Sequence, residues 1–545
     1  MMIRMPLNLL LDSETSLQSY STINRLYEHL KELLDTEVFN ETFIKYASDL
    51  TSVFHYINNE RQNPEYTGRL ATLELQAITL RLSRHHIKRA KTIENIARFF
   101  EGVLESTSIE RISFNKAEMI DRPSLMVLNR LAGLLNKKKN AALITFHFSK
   151  DVFKTKDEHF AIQARRQVFE KIKRIGHIEI YNPDNNQLLS KADYPLEQRL
   201  YEPLILDSAI IEQNFELALL ILDKTLNNSS ENKIISNQLA YRHIGVIEAN
   251  LGNFDKAMYY FEKAIENSQT ILELSRNSYI KGLCLIKRLK KAEEGLAIIN
   301  KAYKDISDYS DEDDFRIKHE KAWLMNGRSL AKTVLAARKN EKEKAEILAT
   351  LIKEEMTAYR LISNESNFRL VYLKYNLLAN IAFLLEIAGE FSRAIQFWEQ
   401  AFAPLLANDG QFKEGEKALT YRLGLLHIKL SKLDQAELLL QRALDLTREE
   451  NNDFHLHGVL YGLGYLKIVN HEYGEALQLF REGKEVAGRL DDRGSMSLFD
   501  RALDYAYRKE SNHDLEFPKI KLTSYIPYLD LSFVPEVDLN KELTT

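Results

Sequence analysis

The residues of this chain that could do chemistry are few, and their spacing argues against most reactions. His471-Glu472 opens like a zinc-binding H-E-x-x-H helix, but the second histidine is missing. His455 and His457 stand two apart, a spacing that shares a face on a strand and not on a helix, yet helical periodicity surrounds them, so they make no metal pair. Cys284 is the single cysteine; flanked by Leu283 and Leu285 and with no His–Asp set indicated, it reads as a packed thiol and not a nucleophile. The run Asp308–Asp314 (DYSDEDD) lacks the spacing and the glycine of a calcium loop and reads as a solvated connection. No G-x-x-x-x-G-K-[ST] occurs, so no phosphate cradle is present. No catalytic residue, metal site or cofactor is therefore expected.

Composition bounds the rest. At 545 residues the chain is long for one core, and two units are expected. A formal net charge of -4 gives no field that would favour nucleic acid as a partner. One cysteine excludes an internal disulfide and suits a reducing compartment, here read as the cytoplasm. The apolar run Leu7–Leu11 ends at Asp12, too short for a membrane span or a signal segment, so no membrane association is expected.

The elements that would position any site are mostly helical. Residues 1–107 read as helices over Ser16–Leu34, Thr42–Asn58, Gly68–Leu82 and Ile93–Leu104, with cap regions at Asp12-Ser13 and Asp35-Thr36. A basic cluster from Arg81 to Lys91 reads as a solvated face, since no aromatic residues interleave it. Residues 108–190 change character: Ser108–Phe114, Ala141–Phe148 and Gly176–Tyr181 are strand-like and alternate with helical patterns at Arg122–Leu135 and Asp157–Ile175. That order predicts a small α/β element with a parallel sheet. Asn186–Glu197 reads as a polar linker. Residues 511–545 form an extended tail broken by Pro518, Pro527 and Pro535, whose apolar stretch Ile526–Val534 should cover its own solenoid or a partner.

Residues 199–510 carry a recurrence. Gln238–Thr270 places Tyr241, Ile244 and Gly245 on one helix and Ala257, Phe261 and Ala264 on a second, with Leu251-Gly252-Asn253 turning between them. The same offsets return at Ala382, Gly389, Ala394, Trp398 and Ala401; at Gly424, Ala436, Leu440 and Ala443; and at Gly464, Ala476, Phe480 and Gly483. Weaker copies centre on Ala209 and Ala218 and on Leu283, Gly295 and Ala302, while Arg316–Ile362 reads as a divergent pair of longer helices. The pattern resembles the tetratricopeptide repeat (TPR), a helix pair of about 34 residues. The fold class is therefore mainly α: a TPR-like helical solenoid preceded by a helical N-terminal domain with a small α/β element. The resemblance implies a concave groove lined by the first helix of each repeat. By register it places Arg242, His243, Val246 and Asn250 inward, then Asn376, Asn380 and Phe383, then Tyr421, Arg422 and Leu425, then Tyr461 and Tyr465. Asn376 and Asn380, one turn apart, could address one stretch of an extended peptide. Replacing Asn380, Arg422 or Tyr465 by Ala is expected to weaken partner binding without disturbing the fold.

A second resemblance covers Ile109–Tyr181. ISFNKAEMIDRPSLMVLNRL, followed by AALITFHFSKD, resembles the Walker B and sensor strands of signal-transduction ATPases that carry a TPR array. Asp121, Ser124 and Leu125 match; the acidic pair does not, since Asn115 and Lys116 stand there. Mg²⁺ wants carboxylate oxygen, and an amide beside an ammonium does not supply it. Asn115, Lys116 and Asp121 thus mark a degenerate nucleotide site. Three functions follow as expectations: a non-catalytic scaffold holding a protein or peptide in its groove, a regulator derived from such an ATPase, or an enzyme with an unrecognised site in its N-terminal domain. Self-association stays open.

Overall fold

The computed structural model describes residues 7–12, 20–33, 39–43, 85–149, 177–181, 215–227 and 235–510, with short breaks inside the longer ranges. The helices expected over Gly68–Leu82 and Asp157–Ile175, most of Thr42–Asn58, the side chains of the basic cluster, the linker Asn186–Glu197 and the C-terminal tail lie outside the described residues. The chain divides into two compact units. One takes in the described residues up to 62 and Arg89–Ala264, and the other takes in the described residues of 63–88 and continues from Ile265.

The first unit is built on a four-stranded parallel sheet in the order β1 (Leu7–Asp12), β2 (Ile109–Asn115), β3 (Leu143–Ser149), β4 (His177–Tyr181). β1 corrects the helical reading of the first residues. Leu7–Leu11 is too short for a stable helix but long enough for a strand, and Leu11 is buried beside β2. Parallel strands need long crossovers. Among the described residues three helices lie between them in the chain: α1 (Ser21–Leu33), α2 (His85–Glu105) and α3 (Arg122–Leu135). Their apolar faces share one core with Ile112, Phe114, Ile144 and Phe146, and the Phe114 and Phe146 rings stack at 5.8 Å. Arg130 holds Glu94 across α3 and α2 through hydrogen bonds of 2.5 and 3.0 Å.

Asp121 organises one end of this unit. It N-caps α3 by accepting from the Ser124 backbone N–H at 2.9 Å and the Ser124 hydroxyl at 2.7 Å. The same carboxylate accepts from the Tyr20 N–H at 2.8 Å, the Ser21 hydroxyl at 3.0 Å and the Thr22 N–H at 3.3 Å, and so also caps α1. Tyr20 turns into α1 at φ 62°, a left-handed conformation that costs a non-glycine residue energy and that these hydrogen bonds help to hold. The unit also contains α4 (Phe215–Asn227), α5 (Asn237–Asn250) and α6 (Phe254–Glu266). The close approach expected of Gly245 is present: a Cβ there would sit 2.6 Å from the Phe261 ring.

The second unit is a run of TPR-like helical pairs: α7 (Ile271–Lys287) with α8 (Ala292–Ser307), α9 (Phe315–Ala336) with α10 (Glu341–Ser363), α11 (Val371–Ile387) with α12 (Phe391–Leu406), α13 (Lys413–Lys429) with α14 (Leu433–Glu449), and α15 (Asp453–Val469) with α16 (Tyr473–Arg489). It ends on α17 (Arg493–Glu510). In the second helices Ala394, Trp398 and Ala401, Ala436, Leu440 and Ala443, and Ala476 and Phe480 are fully buried at spacings that make one stripe. First helices end in a repeated turn. Ser431 and His471 take positive φ where Gly389 does in another copy, and the next N–H reaches back five residues, Lys432 to the His427 carbonyl at 2.9 Å and Glu472 to the Lys467 carbonyl at 2.8 Å. His471 is thus a turn residue, which accounts for the lone His-Glu pair. Among the described residues no helix is long and apolar enough to cross a membrane.

Candidate partner-binding face

First helices pack on first helices of the next pair as well as on their own second helices: α7 meets α9, α9 meets α11, α13 meets α15. Each is therefore covered on several sides, and this decides where the expected groove residues lie. Asn376, Asn380, Tyr421, Arg422, Tyr461 and Asn250 are at most 5% exposed and offer no surface to a partner. That corrects the inward-facing reading for these six.

Their polar atoms serve the seams. Asn376 Nδ2 donates to the Tyr372 carbonyl of its own helix at 2.9 Å, and Asn380 Nδ2 donates across to Asn326 Oδ1 of α9 at 2.5 Å. Tyr421 OH donates to the Gly458 carbonyl at 2.9 Å. Tyr461 packs between the rings of Phe480 at 5.5 Å and Phe499 at 5.7 Å. Arg422 grips Glu386 with two hydrogen bonds of 2.8 and 2.7 Å, and Trp398 Nε1 donates to the same carboxylate at 2.5 Å. The Arg422 guanidinium lies 5.0 Å over the Trp398 ring. A bidentate Arg–carboxylate pair with an aromatic lid is a way of keeping both charges satisfied away from water. Asn250 is buried with neither amide atom hydrogen-bonded.

Arg242, His243, Val246, Phe383 and Tyr465 keep partial exposure; Leu425 is buried. Burial, with Arg242 adding to it, pushes the His243 pKa down to about 3, so its imidazole is neutral near neutral pH. Burial raises the Tyr465 phenol. The Cys284 thiol is pushed up to about 11 by burial, against the pull of Arg288, which removes it as a nucleophile at physiological pH.

A cluster that sequence reasoning missed gathers around Trp323 of α9. Arg276 of α7 sits 5.6 Å over its ring, and Tyr279 of α7, His319 of α9 and Tyr372 of α11 pack at 5.6, 6.3 and 6.1 Å. Glu320 holds the cation: Arg276 donates to its Oε1 at 2.7 Å, and His319 Nδ1 lies 3.0 Å from the same oxygen. Trp323 Nε1 donates to His319 Nε2 at 3.2 Å, which leaves the ring proton on Nδ1, facing Glu320. Burial would raise the Glu320 pKa, but Arg276 and His319 outweigh it and hold the carboxyl below its ordinary value. The Arg276 and His319 side chains keep 19% and 23% exposure, so the patch reaches solvent. The available signal was one of only two tryptophans, sitting in the segment with the poorest repeat signature.

In the first unit, Asn115 closes β2 half-buried, and Lys116 lies outside the described residues. Asp121, 2% exposed, is committed to the five donors named above.

No family model matches this chain, and no curated protein matches it. Among solved structures it is similar to the apo form of RapI, at 16% identity over 56% of this chain and 84% of that one, with a TM-score of 0.41. It is also similar to aspartyl phosphate phosphatase F from Bacillus subtilis, at 11% identity over 68% and 90%, with a TM-score of 0.34. A third likeness is to a signal transduction ATPase with numerous domains and a tetratricopeptide repeat sensor from Pyrococcus horikoshii, at 12% identity over 81% and 88%, with a TM-score of 0.40. None of these likenesses decides what this chain binds.

Proposed function

We propose that the chain is a non-catalytic repeat scaffold that docks a protein or peptide on the first helices of its second unit. The observation that carries this reading is the Trp323 cluster, in which three successive helical pairs contribute Arg276, His319, Trp323 and Tyr372 to one partly exposed patch. Trp, Tyr and Arg dominate interface energies because they join large contact area to a polar end, and Arg276 is already oriented by Glu320. Phe383 and Tyr465, in the same unit, are further docking residues. Arg276→Ala and Tyr372→Ala are each expected to weaken binding by about 1–3 kcal/mol with helicity unchanged. The partner is to be recovered by affinity capture from the source cells and identified by mass spectrometry. Calorimetry then compares the variants with the wild type, and wild-type affinity in both folded variants would place the docking surface elsewhere.

The parallel sheet, with Asn115 ending β2 and Asp121 opening α3, supports a second reading: a regulator derived from a TPR-bearing signalling ATPase. Among the described residues there, the amide of Asn115 and the occupied carboxylate of Asp121 offer a metal no carboxylate, and steady-state ATP hydrolysis by the pure protein is expected to be absent. Turnover that survives purification and vanishes on substitution within residues 110–125 would overturn this.

A further inference from the structure

A buried carboxyl between α9, α10 and α11 is unused by the docking reading and independent of it. Glu355 of α10 is 1% exposed. Against it lie neutral groups: Ser329 of α9 and Asn380 of α11, the latter tied to Asn326 of α9. Ser329 and Asn380 hydrogen-bond the carboxyl, while Glu355 Oε2 and Asn380 Oδ1 are buried without a partner of their own.

Several charges on the packed helices are engaged with other groups. Glu354, the neighbour on α10, pairs with Lys332 of α9 at 2.5 Å, and Arg328 of α9 lies over the Tyr303 ring. On α11, Lys374 donates to the Ser363 and Glu365 carbonyls, and Glu386 holds Arg422. Among the described residues no cation pairs with Glu355.

We propose that this layer is a proton-operated latch: with Glu355 protonated the three helices close on a neutral polar layer, and with Glu355 ionised the seam opens to admit water. A protonated carboxyl supplies one donor, which the buried acceptor Asn380 Oδ1 lacks. An ionised one removes that donor and leaves an unpaired charge in the interior. Burial, with Glu354 adding to it and Ser329 and Asn380 opposing, pushes the Glu355 pKa from 4.5 up to about 8. Closing therefore takes up a proton across that window. Stability of the seam is fully present below about pH 4.5 and is lost as pH rises toward about 8, the opening constant growing about tenfold per pH unit before it levels off.

Hydrogen exchange of the full chain, read by mass spectrometry and corrected for intrinsic chemistry, tests this. Between about pH 6 and about pH 7.5, peptides from α9 to α11 should exchange roughly thirtyfold faster in the wild type, with α13 to α16 as the internal reference. Glu355→Gln, of the same shape, should abolish that rise. Glu354→Gln, on a half-buried site, should move the levelling-off to lower pH by removing the neighbouring charge. A wild-type seam that exchanges independently of pH, a rise that persists in Glu355→Gln, or an unmoved levelling-off in Glu354→Gln would each overturn the latch.

Discussion

Arg422→Ala is expected to lower the stability of the second unit by about 3–5 kcal/mol, a large fraction of what holds a folded domain. The loss does not come mainly from the attraction between the two charges, since desolvation largely offsets a buried pair. It comes from the partner left behind: Glu386, with side-chain exposure of 4%, would lose both Arg422 hydrogen bonds and keep the Trp398 N–H. The pair spans α11 and α13, so the seam between two successive repeats should loosen first. Urea denaturation followed by tryptophan emission reads this directly, because both tryptophans lie in this unit and Trp398 is in the network. The double variant Arg422→Met with Glu386→Leu should recover much of the loss, as both charges are then gone. A single-variant loss below about 1 kcal/mol would show that water reaches the pair and that it does not hold the seam.

Asp121→Ala should destabilise the first unit by about 3–4 kcal/mol, because one side chain caps two helices. A single N-cap contributes roughly 1–2 kcal/mol, and removing this one also strands buried donors on α1 and α3. Asp121→Asn separates the two oxygens. An amide oxygen can replace the acceptor that takes the Tyr20 and Ser124 N–H groups, but its NH₂ faces the Ser21 and Ser124 hydroxyls and the Thr22 N–H. The expected loss is therefore intermediate. Hydrogen exchange at the first turns of α1 and α3 is the measurement, since both should lose protection together in Asp121→Ala. Loss confined to α3 would reduce Asp121 to an ordinary cap and leave the left-handed turn at Tyr20 without an explanation.

Arg422 and Asn380 also mark where reading by register fails. The offsets that place a residue on the first helix of a TPR-like pair are local, and they were legible: the Ala-Phe-Ala and Ala-Leu-Ala stripes of the second helices are buried where expected. A first helix in a stack has helices on several sides, so a polar residue on it can face solvent or a neighbour at the same offset. Asn380 faces Asn326, and Arg422 faces Glu386.

By itself the sequence determined what depends on near neighbours: helical pairs from recurring small and bulky residues, the strands β2 to β4 from apolar runs, and the absence of a phosphate loop. The tertiary structure decided everything that needs a partner distant in the chain. It made Leu7–Asp12 a strand by pairing it with Ile109–Asn115, and it brought Tyr20 and Thr22 to a carboxylate about a hundred residues later. It also gathered Arg276, Trp323 and Tyr372 into one patch and left Glu355 among neutral groups. Periodicity fixes which side of an element is apolar, but burial and charge pairing depend on which elements meet, and that is settled only when the chain packs.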